Sequence, residues 1–390
     1  MSSPFPKNIP LCEPFLSGKE WLYVKECMDS GWISNSGPFI GRFEKAVADY
    51  TNTPFSVGVA NGTSGLHLSL LACGVKPGDM VLVPALTFIS PVNTIRYSQA
   101  FPVFMDIDPA TLQIDVEKVA RFLVEECRLS NDICVHKKSG KQVSAILAVH
   151  LLGFSCAVDA LAALAKTYRL ALIEDAAEGL GVRYKGRHVG TFGDVGVLSF
   201  NGNKIVTAGG AGMLLTADAA HADKIRYWST QAKDNPDNFY HSEVGFNYRI
   251  SHLHAAVGLA QMERVNDHIA KKRKIAAYYD AALKGVPDLR KIEPIVGCEA
   301  TFWLYTVLLN GNGASLKRDK ILKKMSEESI MARPLFHPIH QLPPYRNETV
   351  YQMEHTVDVY ERGICLPSSV GLEESDLQRV MDVLKKSCAC

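Results

Sequence analysis

Short apolar runs alternate with helix-like segments over about the first 220 residues of this chain, and no other feature restricts the fold as much. The runs cover residues 56–60, 80–84, 102–107, 145–150, 171–174, 196–200 and 212–216. Most are near-continuous stretches rich in Val, Ile and Leu, as expected of strands covered on both faces. Segments 64–73 and 157–168 read as covering helices. Strand–helix alternation of this kind predicts an α/β fold, a mainly parallel central sheet with helices on both faces.

The rest of the chain reads differently. A long helical pattern spans residues 252–283 and contains Lys271-Lys272-Arg273-Lys274, expected to be a solvated helix face. A strand-like run at 301–309, a helix at 317–328 and a final helix at 373–386 complete a smaller α+β unit. A length of 390 residues suits two domains, and the expected division is a large domain at 1–262 and a small C-terminal domain at 263–390.

Charge excludes some partners. The 42 Lys and Arg nearly cancel the 41 Asp and Glu, so no net field favours nucleic acid or a membrane surface. No stretch approaches the roughly 18 apolar residues of a membrane span. The opening MSSPFPKNIPLCEPF lacks the pattern of a signal peptide, and the ending Cys388-Ala389-Cys390 is not a prenylation box. Ten scattered cysteines without a CxxC pair suggest reduced thiols and a cytoplasmic location. No metal is expected.

Three local patterns carry chemistry. Asp175 follows an apolar strand within Ile173-Glu174-Asp175-Ala176-Ala177-Glu178. A carboxylate at a strand end is placed to hold a protonated ring nitrogen, although a lone Asp there is as readily a cap. Lys204 emerges from a polar turn after Ser199, with Gly209-Gly210-Ala211-Gly212 close behind. A lysine so placed is suited to a Schiff base, though most turn lysines are ordinary ones. Gly62-Thr63-Ser64-Gly65 opens a helix directly after the first strand. Its N–H and hydroxyl groups suit a phosphate, and capping by Thr63 or Ser64 is the plainer use.

The order of these patterns resembles fold-type-I pyridoxal-phosphate (PLP) enzymes. Across nearly the whole chain the sequence resembles the DegT/DnrJ/EryC1/StrS sugar aminotransferases. Gly31-Trp32-Ile33, Ser36-Gly37-Pro38, Pro84-Ala85-Leu86-Thr87-Phe88, Gly245-Phe246-Asn247-Tyr248-Arg249 and His337-Pro338-Ile339-His340 carry the likeness beside the acid and lysine segments. The resemblance implies that Lys204 carries PLP as a Schiff base and moves the proton. It implies that Asp175 pairs with the ring nitrogen and that Phe88 stacks on the ring, Phe88 being otherwise a core aromatic. Thr63, Ser64 and Ser199 would bind the phosphate. Glu178 would lie near the ring hydroxyl, where the family often has Gln. Asn247 would reach the phosphate of a neighbouring subunit's cofactor, making a homodimer with shared sites. Lys204 stands where related dehydratases carry His, which favours transamination.

The resemblance further implies L-glutamate as amino donor and a keto-sugar nucleotide as acceptor. The stretch from Ser229 to Pro236 and the Gly245–Arg249 motif resemble the subgroup acting on UDP-4-keto-6-deoxy-N-acetylglucosamine. GDP-4-keto-6-deoxymannose, the perosamine route, is the alternative acceptor; a non-catalytic PLP-binding regulator is the alternative role. Lys233, Arg249 and His337 are the expected substrate contacts, the two cations as partners of the diphosphate or as ordinary surface charge.

Overall fold

The computed structural model describes residues 7–235, 237–311 and 313–388. Pro236, Asn312, the first six residues and the Ala389-Cys390 ending lie outside the described residues.

Every predicted strand of the first 220 residues forms. They are β1 (Phe55–Val59), β2 (Met80–Pro84), β3 (Phe101–Met105), β4 (Val143–Val149), β5 (Ala171–Asp175), β6 (Val195–Ser199) and β7 (Gly212–Thr216). The later strands are β8 (Leu289–Lys291), β9 (Tyr305–Leu309), β10 (Arg333–Pro334), β11 (Thr349–Tyr351) and β12 (Gly363–Leu366). The large sheet runs β1-β7-β6-β5-β4-β2-β3-β11. All its pairings are parallel except those of β7 with β1 and β6. All seven residues of β4 are buried, which accounts for its unbroken apolar run.

β11 escaped the sequence reading because it is three residues long and pairs with β3 from about 250 positions away. Asp106, just past β3, docks this segment. Its carboxylate accepts the N–H groups of Glu354, His355 and Thr356 and pairs with Lys118 Nζ at 2.7 Å. The Lys118 ammonium and these hydrogen bonds hold the Asp106 carboxyl down at about 2 despite its burial.

The smaller sheet runs β8-β9-β12-β10 and has its own core, built on Val307, Leu309, Ile364, Leu366 and Tyr279. The expected helix 252–283 is two helices, His252–Met262 and Val265–Ala282, because Arg264 leaves helical geometry and pairs with Asp267 in the new first turn. The second helix bridges the cores, giving Val265 and Ile269 to one and Ile275 and Tyr279 to the other. The solvated-face expectation fails at Lys272, which is 1% exposed while Lys271, Arg273 and Lys274 face solvent. Helical periodicity turns that one position toward the seam between the two cores. Among the described residues no helix is long and apolar enough to cross a membrane.

Candidate active site

The carboxyl ends of the parallel strands converge on a cavity of about 320 Å³. This is the edge where ligands bind in open α/β sheets. β1 leads to Asn61, Gly62 and Thr63; β2 leads to Thr87 and Phe88; β4 leads to His150. β5 ends at Asp175, β6 ends at Ser199, and the following turn delivers Lys204. The smaller unit closes the far wall with Trp303, Arg333 and Phe336.

The helix Gly62–Ala72 points its first turn into the cavity. Its cap is Asn61, not Thr63 or Ser64: Asn61 Oδ1 accepts the Ser64 N–H at 2.8 Å and the Ser64 hydroxyl at 3.0 Å. Ser64 is thereby occupied and buried, whereas Thr63 lines the cavity and bonds to Ser90 Oγ at 2.9 Å. A Cβ on Gly62 would lie 3.2 Å from Ser199 Cβ, so glycine lets this helix start sit directly against the end of β6.

Asp175 is buried and accepts the Ala177 N–H at 3.0 Å. Burial, reinforced by the nearby Glu178 carboxylate, pushes its carboxyl up to about 6. Such a group gains from a cation brought against it. Glu178 is also raised by burial. One of its oxygens accepts the Leu152 N–H at 2.7 Å and the other lies 3.4 Å from Lys204 Nζ. The same Nζ stands 3.9 Å from the centre of the Trp303 ring, a cation–π contact. Behind Asp175, His150 and Glu174 form a fully buried pair at 2.9 Å. Against its burial, that partner and the N–H groups of Gly190, Phe192 and Gly193 hold the Glu174 carboxyl below its ordinary range.

The cavity brings together Thr63, Phe88, Asp175, Glu178, Ser199 and Lys204. Phe88 is 53% exposed at the lip, with its ring edge-to-face on Phe336, so it is not a core aromatic. Asn247, Lys233, Arg249 and His337 do not line this cavity. Asn247 is exposed, and its backbone bridges to Thr230. Lys233 is exposed over the Phe239 ring. Arg249 binds Glu44 at 2.7 Å and the Gly58 carbonyl at 3.0 Å, which ties the loop to β1. His337 lines a neighbouring cleft with Arg333, Leu304 and Tyr360.

Sequence reasoning missed Asn61, Thr87, His150, Trp303 and Arg333. Asn61 was legible as a cap directly before a helix start; Trp303 and Arg333 arrive from distant segments and left no local signal. Among the described residues, Thr87 Oγ1 is buried on the cavity wall with no hydrogen-bond partner. An orphaned hydroxyl, a buried carboxylate raised by its burial, a primary amine and a helix N-terminus are together the donor set for pyridoxal phosphate. The residues present fit that group.

Known proteins agree. The profile of the DegT/DnrJ/EryC1/StrS aminotransferase family matches residues 16–385. The chain is 39% identical over 379 residues to the GDP-perosamine synthase of Caulobacter vibrioides, covering 97% of each. It is 37% identical over 373 residues to the GDP-perosamine synthase of Escherichia coli O157:H7, covering 95% of this chain and 96% of that one. The crystal structure of the aminotransferase TlmJ from Streptoalloteichus hindustanus superposes with a TM-score of 0.89 at 28% identity, covering 98% and 99% of the two chains.

Proposed function

Because this chain belongs to the DegT/DnrJ/EryC1/StrS aminotransferase family, we propose that it moves an amino group from L-glutamate to the keto carbon of GDP-4-keto-6-deoxymannose. That it is an enzyme, a pyridoxal-phosphate-dependent sugar aminotransferase, follows from the family. The nucleotide and the residue roles are our reading. Two nearly full-length relatives named GDP-perosamine synthase support the GDP sugar over the UDP sugar suggested by the segment beginning at Ser229.

The observation that carries the chemistry is the placement of Lys204 in one cavity with Asp175 and the Gly62–Ala72 helix start. Pyridoxal phosphate, when bound, supplies an electron sink for the carbon that gains or loses the amino group. Lys204 is the amine that would hold it covalently, and the same Nζ takes and returns the proton. Asp175 would hold a proton on the ring nitrogen. Asn61, Gly62, Thr63 and Ser199 would face the phosphate, with Ser64 contributing through the cap. Phe88 would cover the ring at the lip, and Glu178 would hold the Lys204 ammonium.

Arg333 has no ion-pair partner among the described residues, lines the cavity and acts electrostatically on Glu178. An amino donor's carboxylate is one bond from the reacting carbon, so it must enter this same cavity. We assign Arg333 to that carboxylate. His337, in the adjoining cleft, would meet the sugar nucleotide, and Lys233 keeps its proposed place near the diphosphate. Asn247, exposed and outside the lining of its own chain's cavity, is assigned to a second copy's cofactor in a homodimer. The division at residues 262 and 263 into a large and a small domain, and a cytoplasmic location, complete the proposal.

A product assay tests it. The loaded protein is incubated with L-glutamate and either GDP-4-keto-6-deoxymannose or UDP-4-keto-6-deoxy-N-acetylglucosamine, and products are identified by mass spectrometry. Amino sugar from the GDP substrate is expected. Product from the UDP substrate alone would overturn the nucleotide assignment, and no product with no 2-oxoglutarate released would point to a non-catalytic role.

A further inference from the structure

The peptide just before Lys204 is held from two sides by side chains distant in sequence. The Asn203 carbonyl accepts the Trp303 Nε1–H at 2.7 Å and the Cys12 thiol at 3.0 Å. Behind both donors lies Lys272. Its Nζ donates to the Trp303 carbonyl at 2.9 Å, to the Ser368 carbonyl, and to the Cys12 sulfur at 3.5 Å. An ammonium has three hydrogens, and these are three acceptors. Lys272 has no carboxylate partner among the described residues, and burial lowers its pKa. A buried cation without a counter-ion is costly, so its hydrogen bonds must offset that cost. With Lys272 donating to the sulfur, the Cys12 S–H is left to point at Asn203. Trp303 acts twice, since its ring face also meets Lys204 Nζ.

We propose that Cys12 and Trp303 are positioning residues for Lys204, and that Lys272 is the buried post that fixes both. This rests on Lys204 being the lysine that holds the cofactor. Two donors on one carbonyl fix the orientation of its peptide plane, and hence the direction in which the Lys204 side chain leaves the backbone. An amine that must both bond covalently and shuttle a proton tolerates little displacement. Releasing the carbonyl spreads Nζ over more positions. That slows the chemical step while leaving substrate contacts in place.

The test compares Cys12→Ala with Cys12→Ser, which keeps a donor, and Trp303→Leu with Trp303→Phe, which keeps the ring but loses the N–H. All are measured as loaded enzymes. In Cys12→Ala and Trp303→Phe, kcat should fall about 10-fold with both KM values nearly unchanged, and Cys12→Ser should recover most of the loss. Trp303→Leu should lose more than Trp303→Phe. A second readout is the pH midpoint of the visible absorbance band, which follows the proton on the Lys204 nitrogen. It should move in Cys12→Ala and return in Cys12→Ser, whereas a merely structural role would lower Tm without moving it. Wild-type kcat and midpoint in Cys12→Ala, or no recovery in Cys12→Ser, would overturn the proposal. If Trp303→Phe fails to fold, the Cys12 pair decides. A Lys204→Ala control separates the two levels: a retained band there refutes the Lys204 assignment itself. An absent band there with an unaffected Cys12→Ala refutes only the clamp.

Discussion

Glu178 holds Lys204 with one carboxylate oxygen, at 3.4 Å, and holds the Leu152 backbone with the other, at 2.7 Å. The first contact is electrostatic and the second architectural, so Glu178→Gln separates them. The amide oxygen can keep the Leu152 bond, while the anion beside Nζ disappears. We expect a folded enzyme whose pH–rate profile loses the contribution of the Glu178 carboxyl, which burial holds above its ordinary range. A profile superimposable on wild type would show that the Glu178 charge does not act on Lys204.

Lys204→Arg should abolish transamination, with a loss of at least about 1000-fold in kcat. Arginine keeps a positive charge beside Glu178 but neither forms a Schiff base nor releases its proton at working pH. Single-turnover release of 2-oxoglutarate from L-glutamate is the direct measurement. Substantial release would refute the central assignment.

Asp175→Asn should weaken activity yet stabilise the cofactor-free protein at neutral pH. The Asp175 carboxyl titrates at about 6 in the folded chain, against about 3.9 when unfolded. Between those values the folded state binds the extra proton, so stability falls as pH rises from about 4 to 6 and stays lowered above. The full displacement corresponds to about 3 kcal/mol, an upper figure for a buried group. Asn keeps an acceptor for the Ala177 N–H and lacks the ionisation. Urea unfolding of both cofactor-free proteins should show the variant more stable at pH 8 and the gap closing toward pH 4. A gap independent of pH would contradict the shifted carboxyl.

Arg333→Gln should raise KM for L-glutamate about 10- to 100-fold, the size of one charge-assisted contact. Arg249→Gln should act differently, lowering Tm by leaving the half-buried Glu44 without its cation. Equal KM effects on donor and sugar nucleotide in Arg333→Gln would argue against the donor-carboxylate role.

Asn247 is tested by subunit mixing. Lys204→Ala chains are combined with inactive chains that keep Lys204 but carry Asn247→Asp along with further substitutions, after exchange of subunits is verified. A mixed dimer then contains one site with an intact Lys204 and an intact partner Asn247. Activity should reappear in that mixture. Its absence in verified mixed dimers would remove the shared site and leave the cofactor assignment untouched.

The sequence by itself determined the large sheet and the chemical groups along its edge. Strands buried on both faces must be continuously apolar, so β1 to β7 announced themselves, and Asp175, Ser199 and Lys204 followed from where those strands stop. Tertiary structure alone decided what surrounds them. Trp303 sits in the part of the 301–309 run that does not pair as strand, and Arg333 on a two-residue strand; neither has a local pattern. Lys272 looked like its three basic neighbours until packing turned it inward, and Arg249 looked like a substrate contact until Glu44 took it. Periodicity reports which side of an element is buried, because burial selects residue type position by position. It cannot report which distant segment a buried or polar side chain meets, because that depends on how the two cores close against each other.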